Sequence, residues 1–383
     1  MCENLTDVVY LDNSSTTKPC AEVIDAVNTA LKSFWGNPSS LHTLGFEAEN
    51  LTSSARQIIS SALKCREDEL IFTGSGTEGN NTAIFGAVKS RAKRGNRIVT
   101  TAIEHPSVLE PMKALEAEGF EVIYLKPDSD GKVKAEDINN AVNDKTILVS
   151  IMLVNNETGA IQPISEAVSA VKQKNAPALI HCDGVQAFGK MPIDLKNLGV
   201  DLFTASAHKI HGVKGIGLLY VKKGVTIKPY IIGGGQEKGM RSGTESVPLI
   251  SSFGAAVKAL PPTIKELENI KALNSYAREK LLSLDNVVIN SLGDALPFIL
   301  NISVLGYRSE TLLHFLESKN IFVSSGSACA KGQGSYVLRE MNLKKERVDS
   351  ALRLSFSRYN TKEDIDRLYD ALKEAKDKLR KAN

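Results

Sequence analysis

Short apolar runs alternate with helical patterns through the first two-thirds of the chain. The strand-like runs are ELIFT (69–73), RIVTT (97–101), EVIYL (121–125), TILVSIMLV (146–154), ALIHCD (178–183), DLFTAS (201–206) and GLLYV (217–221). This alternation predicts an α/β fold with a mostly parallel sheet and helices on both faces. Ligands of such sheets bind at the carboxyl ends of the strands, and the chemically unusual residues of this chain lie there.

The pattern changes at KALPPT (258–263), where two prolines interrupt it before a helical stretch over 264–282. Beyond that point the sequence predicts a smaller α+β unit that ends in an amphipathic helix. We therefore expect a large domain over 18–260. The small domain would combine 1–17 with 261–383 and carry a glycine-rich loop that contains a cysteine.

The composition is that of an ordinary globular protein, with 383 residues, 42% hydrophobic and 24% charged. A net charge of +3 and the lack of a dense Lys/Arg block argue against nucleic acid as a partner. No apolar run has membrane-spanning length, and the N-terminus does not read as a signal peptide. The cysteines are odd in number and scattered, which predicts neither disulfides nor a zinc site and favours a reducing cytoplasm. They are Cys2, Cys20, Cys65, Cys182 and Cys329.

Lys209 lies just beyond a buried strand, between small residues and a glycine-rich exit. Desolvation there would lower its pKa and make the amine a nucleophile toward an aldehyde. Pyridoxal phosphate (PLP) is the aldehyde cofactor most often held in this way. A surface lysine at a strand end is the alternative interpretation.

The segment FTGSGTEGNN (72–81) follows a strand and opens a helix. It matches G-x-G-x-x-G, so a dinucleotide site of an NAD-dependent oxidoreductase is one hypothesis. The same geometry binds a single phosphate, with Gly76 in the turn and the Thr77 hydroxyl beside the free N–H groups. A tight turn with an N-cap threonine is the structural alternative. A dinucleotide would also need an acidic residue closing the next strand, where only Glu104 stands.

Asp183 ends a strand that the pattern buries, and a carboxylate there needs a cationic partner. A protonated pyridine nitrogen is such a partner, whereas an aspartate that only caps the next turn is the alternative. Gln186 and Asn156 both follow strand ends and could donate to the phenolate oxygen of the cofactor.

His105 precedes a proline, which favours an extended backbone in a loop. Its imidazole could stack on a planar ring and shuttle protons, or be a structural histidine. His208 and His211 lack a third ligand at suitable spacing, so no metal is expected. Arg353 faces away from the apolar side of its strand and could capture a carboxylate, or be a solvated arginine of an edge strand.

Cys329 stands among small residues in VSSGSACAKGQGSYVL (323–338). Solvent access and the nearby Lys331 would favour its thiolate, and an incidental loop thiol is the alternative. Cys182 lies inside a predicted buried strand and is expected to be inert.

These segments together resemble the NifS/IscS-type cysteine desulfurases, a group of the PLP-dependent class V aminotransferases. The resemblance runs from YLDNSSTT near the N-terminus to the terminal helix. Its motifs are FWGNPSSLH, FTGSGTEGNN, AIEHPSVLEP, VNNETG, HCDGVQAFGK, SAHKIHGVKG, GGGQEKGMRSGTES, SSGSACA and LRLSFSRY.

The resemblance implies the aspartate-aminotransferase (type I) fold, a homodimer with shared active sites, and PLP carried on Lys209. It implies phosphate contacts from Gly76, Thr77, Ser206 and His208, with Thr244 reaching the phosphate of the neighbouring subunit. It also implies that Asp183 pairs with the pyridine nitrogen, Asn156 and Gln186 contact the ring oxygen side, and His105 stacks on the ring. Arg353 and Asn156 would hold the substrate carboxylate, and Cys329 would accept sulfur.

The implied reaction converts L-cysteine to L-alanine and leaves a persulfide on Cys329 for a sulfur-acceptor protein. Lys209 and His105 would move protons, and a selenocysteine lyase or another PLP-dependent C–S lyase is the alternative. The acceptor, an iron–sulfur scaffold or a tRNA-thiolation enzyme, stays open. The stretch after Cys329 is shorter than in scaffold-serving members, and the C-terminal tail of some members is missing. Both departures argue against docking onto a standard iron–sulfur scaffold.

Overall fold

The structure is a computed structural model that describes residues 7–325 and 334–380. The strands are β1 (Val9–Tyr10), β2 (Leu70–Thr73), β3 (Arg97–Thr101), β4 (Glu121–Leu125), β5 (Thr146–Met152), β6 (Leu179–Asp183), β7 (Leu202–Ser206), β8 (Gly217–Val221), β9 (Val287–Ile289), β10 (Ile299–Val304), β11 (Ile321–Phe322) and β12 (Ala351–Ser355). The helices are α1 (Ala21–Ser33), α2 (Thr43–Leu63), α3 (Gly76–Arg91), α4 (Pro106–Ala117), α5 (Ala135–Ala141), α6 (Ile164–Gln173), α7 (Leu195–Leu198), α8 (Val247–Lys258), α9 (Thr263–Leu282), α10 (Ser309–Glu317), α11 (Tyr336–Glu340), α12 (Lys345–Asp349) and α13 (Lys362–Lys378).

The central sheet has seven strands in the order β2-β8-β7-β6-β5-β3-β4. The five strands from β7 to β4 run parallel, and β8 is antiparallel to both of its neighbours. The predicted mostly parallel sheet is therefore confirmed. Strands β5, β6 and β7 are buried along their whole length, as expected for strands covered on both faces. Their carboxyl ends meet at one edge, which brings Asp183 and Ser206 to the same end of the sheet.

Helices cover both faces of this sheet. Helices α3 and α4 pack on one face, where Ile84 and Met112 are fully buried against Ile98 and Leu148. On the opposite face α6 and α8 contribute to a second, larger core. Helix α8 also packs against α1 and α2, and Gly254 permits the close approach because a Cβ there would lie 2.8 Å from the Ala55 Cα.

The C-terminal part contains a second sheet in which β10 lies between β12 and β9, all antiparallel. Helix α13 packs against α9 and α10. The N-terminal segment joins this part, because β1 pairs with β11 and Asp12 bridges to Ser355. These contacts agree with grouping 1–17 with 261–383, and the domain boundary at 260 stays a prediction.

Two sequence expectations differ from the structure in detail. The predicted strand 146–154 ends at Met152, and Val154 instead forms an isolated bridge with Ile161. The predicted strand IFVSS has only two residues in strand form, and Ser324 forms an isolated antiparallel bridge with Arg353.

No single helix in the described part of the chain has the length and apolar composition needed to cross a membrane. Helices α8 and α9 reach those criteria only when they are taken together, and the pair is bent by 74° at the break between them.

Candidate active site

A cleft of about 280 Å³ lies at the carboxyl ends of β5, β6 and β7. It is lined by Ser15, Ser75, Gly76, Thr77, His105, Ser107, Met152, Val154, Asn156, Asp183, Val185, Gln186, Ser206, His208 and Lys209. The lining brings together nine of the residues singled out from the sequence. A larger groove of about 820 Å³ lies elsewhere, between the N-terminal segment and the C-terminal part, and none of the nine lines it.

Lys209 is placed by a single 3₁₀ turn, Ala207–Lys209, that follows β7. Its Nζ donates to the carbonyls of Ser14 and Ser15, the second at 2.8 Å. Burial at the base of the cleft, aided by the positive charge of Arg353, lowers the pKa of Lys209 to about 8. The alternative of a surface lysine is therefore wrong, because the amine is buried at the base of the cleft. Its lowered pKa makes the neutral, nucleophilic form more abundant than in an ordinary lysine.

The start of α3 forms a cradle for an anion. Ser75 is the N-cap and accepts from the backbone N–H of Glu78 at 3.1 Å, so the alternative of an N-cap threonine is wrong, and Thr77 is exposed in the first turn. Gly76 is required by close packing, since a Cβ there would lie 2.9 Å from Val185 Cγ2. First-turn N–H groups of a helix have no intrahelical acceptor and favour phosphate.

The structure argues against a dinucleotide site, because Glu104, the acidic residue that would bind the ribose, is engaged elsewhere. Glu104 is fully buried, and its Oε1 accepts from the Thr101 hydroxyl at 2.8 Å and from the Met152 N–H at 2.9 Å. Burial raises the pKa of Glu104 to about 8. A carboxyl group held in this way is not available to a ribose hydroxyl.

Asp183 ends β6 and is 5% exposed. Its Oδ1 accepts from the Val185 N–H at 2.9 Å, so it does cap the next turn, as the alternative interpretation holds. Its Oδ2 accepts from Asn80 Nδ2 at 2.8 Å. The carboxylate also lines the cleft, where a protonated ring nitrogen could provide the positive partner.

Sequence reasoning missed Asn80, which is 1% exposed on the inner side of α3. Its Nδ2 also donates to the Ser107 hydroxyl at 2.8 Å. The available signal was its position four residues after Gly76, which places both on one side of the helix. Asn80 therefore connects the phosphate cradle to the carboxylate.

His105 is the N-cap of α4, and its Nδ1 accepts from the Ser107 N–H at 3.1 Å. Burial lowers the pKa of the imidazole against the opposing effect of Asp183. The ring is nevertheless open to the cleft. A neutral imidazole in this position can accept a proton and can lie against a planar ring.

Ser206 and His208 flank the same edge. Ser206 is 2% exposed, and burial together with the Lys209 charge lowers the pKa of His208 to about 4. Its Nδ1 lies 3.2 Å from the Thr16 hydroxyl. His211, by contrast, lies outside the cleft with Nδ1 3.0 Å from the Lys18 carbonyl.

Gln186 and Asn156 occupy the remaining side of the cleft. Gln186 Nε2 donates to the Ser14 carbonyl at 2.9 Å. Asn156 Oδ1 is buried and has no hydrogen-bond partner within the described part of the protein. Because an unpartnered polar atom is costly, this amide is suited to a ligand.

Arg353 is 3% exposed, so the alternative of a solvated edge arginine is wrong. Strand β12 is an edge strand, but the N-terminal segment covers it: Arg353 Nη2 donates to Asp12 Oδ1 at 2.7 Å and to the Ser15 hydroxyl at 2.8 Å. Nη1 donates to the Asn156 carbonyl at 3.1 Å. The pairing with Asp12 had no signal in the sequence pattern, and the role of Arg353 toward a substrate carboxylate stays a prediction.

Thr244 is exposed and lies outside the cleft, beside Gly74 and Arg241 in a separate small pocket. Arg241 Nε pairs with Glu78 Oε1 at 2.8 Å, which ties this segment to the first turn of α3. Thr244 therefore lies near the phosphate cradle in the fold without facing the cleft of its own chain.

Cys329 lies outside the described residues, and the chain on either side of its segment contacts the body of the protein. Ser324 forms an antiparallel bridge with Arg353. On the other side, the Ser335 hydroxyl pairs with Glu157 Oε2 and the Tyr336 hydroxyl donates to the Glu104 carbonyl. Glu157 follows Asn156 and Glu104 precedes His105, so the downstream flank contacts neighbours of two cleft residues. The upstream flank is connected to the cleft through Arg353, which donates to the Asn156 carbonyl.

The structure describes three cysteines, Cys20, Cys65 and Cys182. Burial raises the pKa of each thiol, most strongly that of Cys182, which is 0% exposed. The prediction that Cys182 is buried is confirmed.

The donor set fits pyridoxal phosphate. An amine of lowered pKa suits the aldehyde, a buried carboxylate suits the ring nitrogen, and a helix N-terminus suits one phosphate. The amide N–H groups of Asn156 and Gln186 are donors that suit the ring oxygen.

The family model for Aminotransferase class-V matches residues 9–368. A protein named Cysteine desulfurase IscS, from Clostridium botulinum (strain Hall), is 41% identical over 374 residues, covering 95% of this chain and 93% of that protein. A solved structure of a NifS-like protein superposes with a TM-score of 0.92 at 37% identity, covering 97% of this chain and all of that one. A structure described as SspA in complex with cysteine is 31% identical, with a TM-score of 0.81 and coverage of 92% of this chain and 99% of that one.

Proposed function

The chain belongs to the aminotransferase class-V family and is a cysteine desulfurase, and from this premise we propose how its residues divide the reaction. In this proposal L-cysteine becomes L-alanine, Lys209 carries pyridoxal phosphate, and Cys329 receives the sulfur. The observation that carries the proposal is the Lys209 amine, which faces one cleft together with Asp183 and the start of α3.

Each cofactor-binding role follows from a group in the cleft. Gly76, Thr77, Ser206 and His208 would hold the phosphate, and Asp183 would hold the ring nitrogen in its protonated form. Once bound, PLP supplies an electron sink for bond cleavage at the substrate. Because His208 is neutral, it would bind the phosphate through a hydrogen bond and would not add a positive charge beside Lys209.

Substrate binding would use Arg353 and Asn156. Arg353 Nη2 is already engaged with Asp12 and Ser15, whereas its Nε has no partner within the described residues. A substrate carboxylate would therefore share or replace the Asp12 contact. The ready-made ion pair keeps the buried guanidinium oriented before substrate arrives.

Proton movements fall to two bases. The Lys209 amine, with its pKa near 8, can take the proton from the substrate Cα. The neutral His105 imidazole, fixed at Nδ1 by Ser107, can hold or release a proton at its other nitrogen. Both side chains line the same cleft, which is what proton transfer requires.

Sulfur transfer would be the task of Cys329. Its thiolate forms an S–S bond with the substrate sulfur as the substrate carbon–sulfur bond breaks, and the carbon fragment leaves as alanine after taking up a proton. The connections of Ser324 to Arg353 and of Ser335 to Glu157 support this role, because they hold the flanks of the segment beside the substrate residues.

Two measurements test the assignment. Borohydride reduction followed by peptide mapping is expected to find the cofactor on Lys209, and labelling of another lysine would refute the site. Cys329→Ser is expected to bind cofactor and cysteine normally and to lose persulfide formation, because a hydroxyl is a far poorer sulfur acceptor. Cys65→Ser is the matched control, and wild-type alanine and sulfide production by Cys329→Ser would contradict the persulfide route.

We propose a homodimer in which each chain completes the site of the other through Thr244. Its exposed position outside its own cleft supports this. So do large apolar side chains left on the surface of the single chain, among them Trp35 at 70% and Ile232 at 83% exposure. Apolar exposure of this kind is typical of surfaces that another chain covers.

The sulfur would pass to an acceptor protein, either an iron–sulfur scaffold or a tRNA-thiolation enzyme. The free thiols of Cys20, Cys65 and Cys182 and the need for a reduced Cys329 support a reducing cytoplasm as the compartment. Transfer of labelled sulfur from the persulfide to a co-purified partner would identify the acceptor.

The named relatives favour cysteine as substrate, and comparison of products from cysteine and selenocysteine tests this directly.

A further inference from the structure

A second buried lysine, Lys190, lies directly behind the cleft and is 5% exposed. Its Nζ donates to Gln186 Oε1 at 2.9 Å. The Phe298 ring lies 6.0 Å from the same nitrogen, and Lys190 forms no ion pair within the part of the chain that the structure describes. Burying a cation without an opposite charge costs free energy, so the hydrogen bond between Lys190 and the cleft residue Gln186 is expected to have a role.

The hydrogen bonds continue from Lys190 to the proposed cofactor lysine. Gln186 accepts from Lys190 on its oxygen and donates from Nε2 to the Ser14 carbonyl at 2.9 Å. The same carbonyl accepts from Lys209 Nζ. Lys190 and Lys209 also line one small cavity of about 10 Å³ together with Glu266.

The chemistry of the two end groups fixes the orientation of the Gln186 amide. A lysine amine that donates to the amide must meet its oxygen, and a backbone carbonyl must meet its nitrogen. Gln186 therefore presents only N–H to the cleft side. Without Lys190 the buried amide oxygen would lose its partner, which would remove one of the two constraints against rotation of the amide.

We propose that Lys190 is a positioning residue that locks the Gln186 amide with its N–H group toward the cofactor ring oxygen. The inference rests on the proposed function, because it presumes that PLP occupies the cleft. Lys190 does not touch the cofactor or the substrate in this proposal and acts through Gln186 alone. Five charged or titratable groups interact electrostatically with its amine. They are Lys209, Arg353, Glu266, His208 and His211.

The test is the pH midpoint of the change in cofactor absorbance, measured on holoenzyme without substrate. Lys190→Met keeps the unbranched side chain to the position of Cε and removes the donor. A loosened Gln186 donates less to the ring oxygen, which then holds its proton more tightly, so the midpoint is expected to rise by about one pH unit. Lys172→Met, at an exposed lysine, is the matched control and should leave the midpoint unchanged.

A Gln186→Ala background separates a positioning role from a direct effect of charge. If Lys190 acts through Gln186, Lys190→Met is expected to cause no further shift in that background. Lys190→Gln retains a donor without a charge and is expected to restore most of the wild-type midpoint, and it also serves if Lys190→Met fails to fold.

Three results would overturn the inference. They are an unchanged midpoint in Lys190→Met, an equal shift in the Gln186→Ala background, and a shift in Lys190→Gln as large as that in Lys190→Met. A wild-type protein that shows no cofactor absorbance would instead refute the proposed function, and the inference with it.

Discussion

Asn80→Ala tests whether the hydrogen bond to Asp183 supports cofactor binding. Asn80 Nδ2 is bonded to Asp183 Oδ2 at 2.8 Å and to the Ser107 hydroxyl at 2.8 Å, in a place that is 1% exposed. The substitution removes both donors. Asp183 Oδ1 still accepts from the Val185 N–H, so the carboxylate loses the Asn80 hydrogen bond and keeps this one.

The expected magnitude follows from the charge of the acceptor. A hydrogen bond to a charged group contributes about 1.5–3 kcal/mol, and every 1.4 kcal/mol changes an equilibrium constant tenfold. The dissociation constant of PLP should therefore be roughly 10- to 100-fold higher for Asn80→Ala, because the protonated ring nitrogen pairs with the Asp183 carboxylate that Asn80 holds in place. Asp183→Ala should weaken binding more, since it removes the carboxylate altogether.

The assay is a titration of cofactor-free protein with PLP, followed by absorbance. Asn81→Ala is the matched control, because Asn81 is the next residue of α3 and its Nδ2 donates to backbone carbonyls, that of Thr77 at 2.9 Å and that of Ser107 at 3.5 Å, rather than to Asp183. Thermal unfolding of each cofactor-free variant separates a loss of affinity from a loss of stability. Equal affinity in Asn80→Ala and Asn81→Ala would refute the reasoning.

Three further outcomes are expected. The rate of PLP uptake, measured by stopped-flow absorbance, should rise with pH and reach half its plateau near pH 8, because burial and the Arg353 charge lower the pKa of Lys209 to about 8. Arg353→Gln removes that charge and should move the half-point to higher pH. Mixing Lys209→Ala chains with Thr244→Ala chains should restore desulfurase activity on subunit exchange, because one site of each heterodimer then carries neither lesion. Ser335→Ala should lower the free energy of unfolding by about 1–3 kcal/mol in denaturant titrations, because the buried Glu157 carboxyl loses its partner, and should slow sulfide release more than cofactor binding.

Each of these outcomes has a contrasting result. A half-point that stays in place in Arg353→Gln would mean that burial alone sets the reactivity of Lys209. A fully active monomer in sedimentation would contradict the shared site. Ser318→Ala removes an exposed hydroxyl whose bond is local and is the control for Ser335→Ala; equal effects of the two would contradict a special role for Ser335.

The sequence predicted the central sheet well because its strands are buried on both faces and read as continuous apolar runs. It also predicted the residues of the cleft, since they stand at strand ends or at the start of a helix. It could not predict Asn80, Lys190 or Asp12. Asn80 and Asp12 act through partners distant along the chain, Asp183 at 103 and Arg353 at 341 residues, and periodicity carries no sign of such pairings. Lys190 pairs with Gln186 only four residues away, but its burial depends on how the chain packs behind the cleft.

The N-cap of α3 shows the same limit on a smaller scale. Ser75 and Thr77 both suit an N-cap, and only the backbone conformation of Ser75, with φ −172° and ψ 169°, decides between them. Arg353 was expected on the polar face of an edge strand, and its burial depends on the N-terminal segment that covers that edge.

The fixed flanks of the Cys329 segment have a consequence for how such enzymes diversify. Ser324 on one side and Ser335 on the other are held by the body of the protein, so the points where the intervening chain leaves and rejoins the fold are set by contacts outside that chain. In general, doubling the length of a connection between two such points costs only about 0.6 kcal/mol in closure entropy. We therefore expect the residues between the two anchors to be exchangeable between relatives as a cassette, with the hydrogen bonds of the cleft unaltered.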